Sequence, residues 1–191
     1  NINTHKVFDT IAMQRANVKF ANNSSLLVSG YVQIENCGFS PTDWSKYSQN
    51  GLVVESGKLY LSGSEFSKLN TGLQIQSSCK AVVQNNRFLS CATALLTESS
   101  GVKIKNCTFK NNTVGIEIFG NESLDSIMLS NFTSNETGIY SSAESVYNPL
   151  HVLESQFYQN TTGISTQKRP VALACCVFGY NKHGIKASET T

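Results

Sequence analysis

One aromatic recurs down this chain at a spacing that leaves little choice of architecture: Phe39, Phe66, Phe88, Phe109, Phe132, Phe157 and Phe178. The steps between them are 27, 22, 21, 23, 25 and 21 residues. Six residues after each Phe, from Phe66 onward, stands a small residue: Gly72, Ala94, Gly115, Gly138, Gly163 and Gly184. Leu or Ile always follows it, from Leu73 to Ile185. After Phe39 the Gly arrives late, as Gly51, displaced by six extra residues. Phe20 marks an earlier, less regular turn. Self-similarity at a period of roughly 20–50 residues is the signature of a repeat architecture.

Upstream of the Phe, apolar residues fall at two fixed offsets, seven and five before it. The pairs are Val32/Ile34, Leu59/Leu61, Ala81/Val83, Val102/Ile104, Leu150/Val152 and Val171/Leu173. A separation of two is strand periodicity. Two before the Phe sits a small residue, such as Cys37, Ser64, Asn86, Cys107, Ser155 or Cys176. The Phe132 unit reads differently: Ile127 and Leu129 sit one register off, as if that turn were shortened or bulged. Each unit is therefore three short strands and three corners: V-x-I, then small-x-F, then G-I-x-I. Such a unit cannot bury its apolar face alone, and stacking in parallel register buries it in one continuous column. The expected fold is all-β, a parallel β-helix of about seven to eight coils with Phe on Phe roughly 4.8 Å apart. A second column supports this phase. Asn stands three residues after the Phe at Asn23, Asn112, Asn135, Asn160 and Asn181. A corner amide can bond its own backbone, or its copies above and below in a ladder. Leu69 and Cys91 interrupt the column.

The segment NCTFKNNTVGIEI, residues 106–118, resembles the repeat of the right-handed parallel β-helix family, the pectate-lyase-like superfamily. The resemblance covers residues 17–188 and implies a right-handed coil. It says little about activity, because that superfamily includes lyases, hydrolases, epimerases, phage tailspikes, adhesins and structural modules. The Phe-x-x-Asn pattern is also similar to that of chlamydial-type polymorphic outer-membrane adhesins, whose Gly-Gly-Ala companion motif is missing here.

The whole of residues 1–191 reads as one β-helix segment, with stacked coils over 17–188. Residues 1–16 form either a cap or an irregular first turn. Within them Val7, Phe8, Ile11 and Ala12 fit a short amphipathic helix, and a further strand is the alternative. The last strand starts at Gly184 and stops soon after, and the first residue is not Met, so the segment is expected to belong to a longer protein. Cys37, Cys107 and Cys176 share one inward column three coils apart, about 14 Å at strand spacing. A disulfide needs Cα atoms within about 7 Å, so these read as buried free thiols. Cys79, Cys91 and Cys175 fall at corners, and their state is open. Asn-x-Ser/Thr occurs at Asn22, Asn23, Asn106, Asn111, Asn121, Asn131, Asn135 and Asn160, where the repeat itself demands Asn near Ser or Thr.

Composition narrows the function. Only 15% of residues are charged and the net charge is +2; roughly 25% is usual. No basic stripe suited to nucleic acid is visible, and no run approaches the roughly 18 apolar residues of a membrane span. Localisation outside the cytoplasm, or on a cell or virion surface, is expected. No cofactor is implied. The three Asp residues, Asp9, Asp43 and Asp125, lie far apart in coil number, as do His5, His151 and His183, so no metal site is expected.

The outward positions of the G-I-x-I strand bring together Glu98, Glu117, Phe119 and Tyr140. Glu98 and Glu117 fall on a diagonal between adjacent coils, roughly 7–8 Å. That separation suits the paired carboxylates of inverting glycoside hydrolysis, and surface glutamates also fall this close by chance. The corner after Phe39 holds the only Trp, Trp44, with Tyr47 nearby; these can anchor a protein or glycan partner, or Trp44 can fold back on the sheet. Three functions remain: a structural or adhesive module binding a polysaccharide or a surface protein; a carbohydrate-active hydrolase or lyase using Glu98 and Glu117; and a tailspike-like receptor-binding segment.

Overall fold

The computed structural model describes residues 10–43, 49–76, 79–98, 101–120, 126–143 and 149–188. Among these every element is a strand and no helix occurs. The chain winds through about seven coils. A representative coil runs through Val102–Lys105 on a first face, Thr108–Lys110 on a second and Val114–Phe119 on a third. Each strand pairs in parallel with its equivalents one coil away: Ile104 with Val83 and Ile127, Phe109 with Phe88 and Phe132, Ile116 with Leu95 and Ile139. The second face is an eight-stranded sheet, and the other two faces join in one sheet of fourteen strands.

They join because the early coils lack a corner. Leu26–Glu35 and Asn50–Ser62 each run through the third face and on into the first as one long strand. Their mutual register shifts only between Val28 and Ser29. The three-corner reading holds for later coils and fails here, where Gly30 and Gly57 pair at a bulge with φ of 88° and 99°. Bulges of this kind bend a strand without ending it.

Stacking of the Phe column is as expected. From Phe39 to Phe178 successive ring centroids are 4.5–5.0 Å apart and the rings are stacked nearly parallel. Phe20 differs: Val18 takes the register position opposite Phe39, and Phe20 lies opposite Pro41. Its ring consequently sits 6.3 Å from that of Phe39. Of the two readings of the N-terminus, the helix is excluded over Thr10–Gln14. That segment is a strand whose Ile11 and Met13 pair with Val32 and Ile34. Val7 and Phe8 lie outside the described residues.

The Phe132 coil is not out of register. Ile127 pairs with Ile104 and Val152 in the normal inward position, and Ser130 is the buried small residue before Phe132. Leu129 misled the pattern because it is apolar yet stands at a corner, 41% exposed, with φ of 52°. It belongs to a series of left-handed residues three before each Phe: Asn36, Gly63, Asn85, Asn106, Leu129, Glu154 and Cys175. A second series lies two after each Phe, from Lys68 to Tyr180. From Glu65–Ser67 onward each short second-face strand is thus bracketed by two left-handed residues, which fold the chain sharply with no loop. Asn adopts this conformation readily and Leu does not. Leu129→Asn is therefore expected to stabilise the fold by about 0.5–1 kcal/mol, since little apolar burial is lost. A rise in the urea midpoint with an unchanged slope would show it; a fall would mean that Leu129 contributes packing its exposure does not reveal.

The Asn column is a ladder between coils, and its amides do not bond their own turn. Asn135 Oδ1 accepts from the backbone N–H and the Nδ2 of Asn112, at 2.9 and 3.0 Å. Asn135 Nδ2 donates to the Phe109 carbonyl and to Asn160 Oδ1, both at 3.0 Å. Asn160 and Asn181 repeat the arrangement, and it ends at Cys91, whose N–H donates to Asn112 Oδ1. Asn23 is exposed and outside it.

A second ladder runs through the small residues before the Phe. Cys37 N–H donates to Ser64 Oγ, Ser64 N–H to Asn86 Oδ1, Cys107 N–H to Ser130 Oγ and Ser130 N–H to Ser155 Oγ. The cysteines of this column are free thiols, as is every other cysteine. Burial raises the Cys91 and Cys107 thiols to about 11; Cys79 is buried too, and Cys175 is exposed.

Candidate functional site

A solenoid of this kind offers chemistry only on its outer faces, since its inward residues form one continuous core. On the third face, strand alternation turns Glu98, Glu117, Phe119 and Tyr140 outward. Glu98 stands opposite Phe119, and Glu117 lies between Leu96 and Tyr140. The two carboxylates are diagonal neighbours, and each is held by a different partner. Glu98 Oε1 accepts from Gln74 Nε2 at 3.2 Å, toward the preceding coil. Glu117 Oε2 accepts from Thr93 Oγ1 at 3.4 Å, toward the start of the strand. These contacts draw the carboxylates toward separate neighbours rather than onto a shared point between them.

Beside them, the rings of Phe119 and Tyr140 meet edge to face at 6.1 Å and 68°. Tyr140 O–H donates to Gln167 Oε1 at 3.0 Å, which fixes its ring. Phe119 is 38% exposed. A ring pair with one exposed member, flanked by amides and carboxylates, has the make-up of a surface on which a sugar ring stacks while its hydroxyls find partners. Trp44 and Tyr47 lie outside the described residues.

The first face carries a feature that the outward positions of the third strand could not reveal. A groove of about 330 Å³ opens there, and its lining includes Tyr31, Lys58, Tyr60, Lys80, Val82 and Lys103. Tyr60 Oη accepts from Gln84 Nε2 at 2.7 Å, which holds its ring. Tyr31, Lys58 and Lys80 are in register in three successive coils. The signal was present in the repeat: eight residues before Phe39, Phe66 and Phe88 stand Tyr31, Lys58 and Lys80.

Two Asn-x-Ser/Thr sites are closed to modification, because Asn135 and Asn160 are buried in the ladder. Asn106, Asn111 and Asn131 are exposed. Among the described residues no three His, Cys, Asp or Glu side chains gather as metal ligands. Among the described residues no helix is long and apolar enough to cross a membrane.

A family model described as the right-handed beta helix region matches residues 9–191. No curated protein matches the chain.

Proposed function

The chain belongs to the right-handed β-helix family, and from that premise we propose that it is a non-catalytic binding module of a secreted or surface protein, gripping a glycan on its outer sheet. The observation that carries this reading is the third face. Exposed Phe119 packs edge to face on the half-buried Tyr140, whose hydroxyl is held by Gln167, while Glu98 and Glu117 are turned toward Gln74 and Thr93. Paired acid–base catalysis needs two carboxyl groups aimed at one scissile bond. Binding needs rigid aromatic surface with polar groups at its margin, and a solenoid holds such groups at fixed spacing.

The test is a panel of neutral and acidic polysaccharides, followed for new reducing ends and for retention in affinity gels. Retention without turnover is expected. Phe119→Ala should weaken retention on the preferred neutral polysaccharide about tenfold, equivalent to about 1.4 kcal/mol, with Glu98→Gln near wild type. Turnover that vanishes in Glu98→Gln or Glu117→Gln would overturn this reading in favour of a hydrolase or lyase.

A further inference from the structure

From the Asn ladder we infer that Asn135 and Asn160 are glycan-acceptor sites on the unfolded chain, and that a glycan on either one prevents its coils from stacking. The fold is then reached only where no lipid-linked oligosaccharide is offered to the chain. The inference does not depend on what the outer faces bind.

An Asn-x-Ser/Thr acceptor belongs on an exposed loop, because the glycan it takes is bulky and solvated. Asn135-Glu136-Thr137 and Asn160-Thr161-Thr162 break that rule. They arise where two columns coincide, two residues apart. One is the ladder. The other opens the third-face strands, where Thr71, Thr93, Val114, Thr137 and Thr162 stand in register.

Both hydrogens of each ladder amide are committed. Asn135 Nδ2 donates to the Phe109 carbonyl and to Asn160 Oδ1, both at 3.0 Å. Asn160 Nδ2 donates to the Phe132 carbonyl at 3.0 Å and to Asn181 Oδ1 at 2.9 Å. The two residues are 3% and 2% exposed. Glycan transfer joins Nδ2 to C1 of the sugar, breaks the bond from C1 to the lipid pyrophosphate and releases one amide proton. The sugar must then lie along one of these hydrogen bonds, between coils only about 4.8 Å apart. No sugar ring fits there.

The stacked coils close both sites, but synthesis leaves them open first. Asn135 Nδ2 finds its amide partner 25 residues later in the chain, and Asn160 Nδ2 finds its own 21 residues later. Synthesis at about 5–20 residues per second leaves each acceptor without that partner for about 1–5 s. Sheets built from non-local parallel pairs also form slowly. A lumen that transfers glycans to entering chain therefore reaches the amide before the ladder does. The thiols agree with this reading. All six cysteines are free, and Cys37, Cys79, Cys91 and Cys107 are buried, whereas oxidising lumens favour disulfides. Asn106, Asn111 and Asn131 are exposed, and glycans there leave the ladder intact.

The full chain, behind a cleavable leader, would be translated with endoplasmic-reticulum microsomes, with and without a competing acceptor peptide, and also in a glycan-free lysate. Mass spectrometry reads the occupancy of each site, and resistance to a broad-specificity protease reads folding. In the lumen, glycans at Asn135 and Asn160 are expected, with a protease half-life at least about tenfold shorter, since cleavage follows the population of the open form. The competitor should restore resistance. Thr137→Val/Thr162→Val removes both acceptors and keeps both Asn; Val114, in register with Thr137, shows that valine fits the column. This variant should be resistant in the lumen while glycosylated at its exposed sites. Within the wild-type population, the resistant fraction should lack glycans at Asn135 and Asn160 yet carry them at Asn106, Asn111 or Asn131, a reading that needs no variant. Glycans at Asn135 or Asn160 on resistant chain would overturn the inference. So would resistant wild type with both sites empty throughout, sensitivity that persists under the competitor, or a double variant resistant in the glycan-free lysate and sensitive in the lumen.

Discussion

Asn135→Ala is expected to lower the unfolding free energy by about 3–5 kcal/mol, one of the largest losses available to a single polar substitution here. The side chain makes four hydrogen bonds in a site only 3% exposed. Its removal orphans the Asn112 N–H, which has the Asn135 oxygen as its acceptor, and takes a donor from the Phe109 carbonyl. Each buried polar group left unpaired costs about 1–3 kcal/mol. Asn135→Leu separates hydrogen bonding from packing, because Leu69 shows that a corner three residues after a Phe accommodates leucine, fully buried. If the ladder acts through its hydrogen bonds, leucine will rescue little. Recovery of most of the wild-type stability in urea denaturation would show that the slot needs volume only.

Phe109→Ala should cost about 4–6 kcal/mol. A buried Phe truncated to Ala loses about 3–5 kcal/mol, and two ring stacks add about 0.5–1.5 kcal/mol each, partly offset where neighbours relax. Phe109 is fully buried and stacks on Phe88 at 5.0 Å and on Phe132 at 4.8 Å. Phe20→Ala is the internal comparison. Phe20 is also buried, but among the described residues it meets one ring, at 6.3 Å and 17°, from a position two residues out of register. It should cost clearly less. Equal losses at both sites, read as urea midpoints with matched slopes, would mean that burial alone sets the cost and the in-register stack adds nothing.

Much of the fold was legible because its rule is one of position. Strand periodicity, the Phe column and the Asn column are each visible as fixed offsets, and parallel register converts an offset into a contact. What escaped the pattern was set by backbone conformation. Leu129 looked like a misplaced core residue because apolarity does not reveal a left-handed φ. The bulge that carries Leu26–Glu35 from one face to the next replaces a corner without changing the residue pattern. The small-residue ladder was visible only as smallness; that Ser64, Asn86, Ser130 and Ser155 accept backbone N–H groups from neighbouring coils depends on angles no spacing records. The outward placement of Glu98, Glu117, Phe119 and Tyr140 on the third face was legible because strand alternation alone decides it. The lysine groove follows from the same arithmetic applied to the first strand, and the interleaved Tyr and Val residues hid it as a charge pattern.

The two ladders also bear on how such a chain can change its length. Every rung joins equivalent positions in adjacent coils, and each partner is a near copy of the next. If a gene lost the stretch from Thr113 through Asn135, Asn112 would run directly into Glu136, Phe109 would come to rest against Phe157, and Asn112 would find Asn160 where Asn135 had been. Whole coils can therefore be deleted or duplicated with the surviving bonds re-formed between equivalent atoms, whereas a loss of part of a coil breaks every column at once. Inheritance can shorten or extend this molecule by the turn, carrying the outer faces along as interchangeable segments.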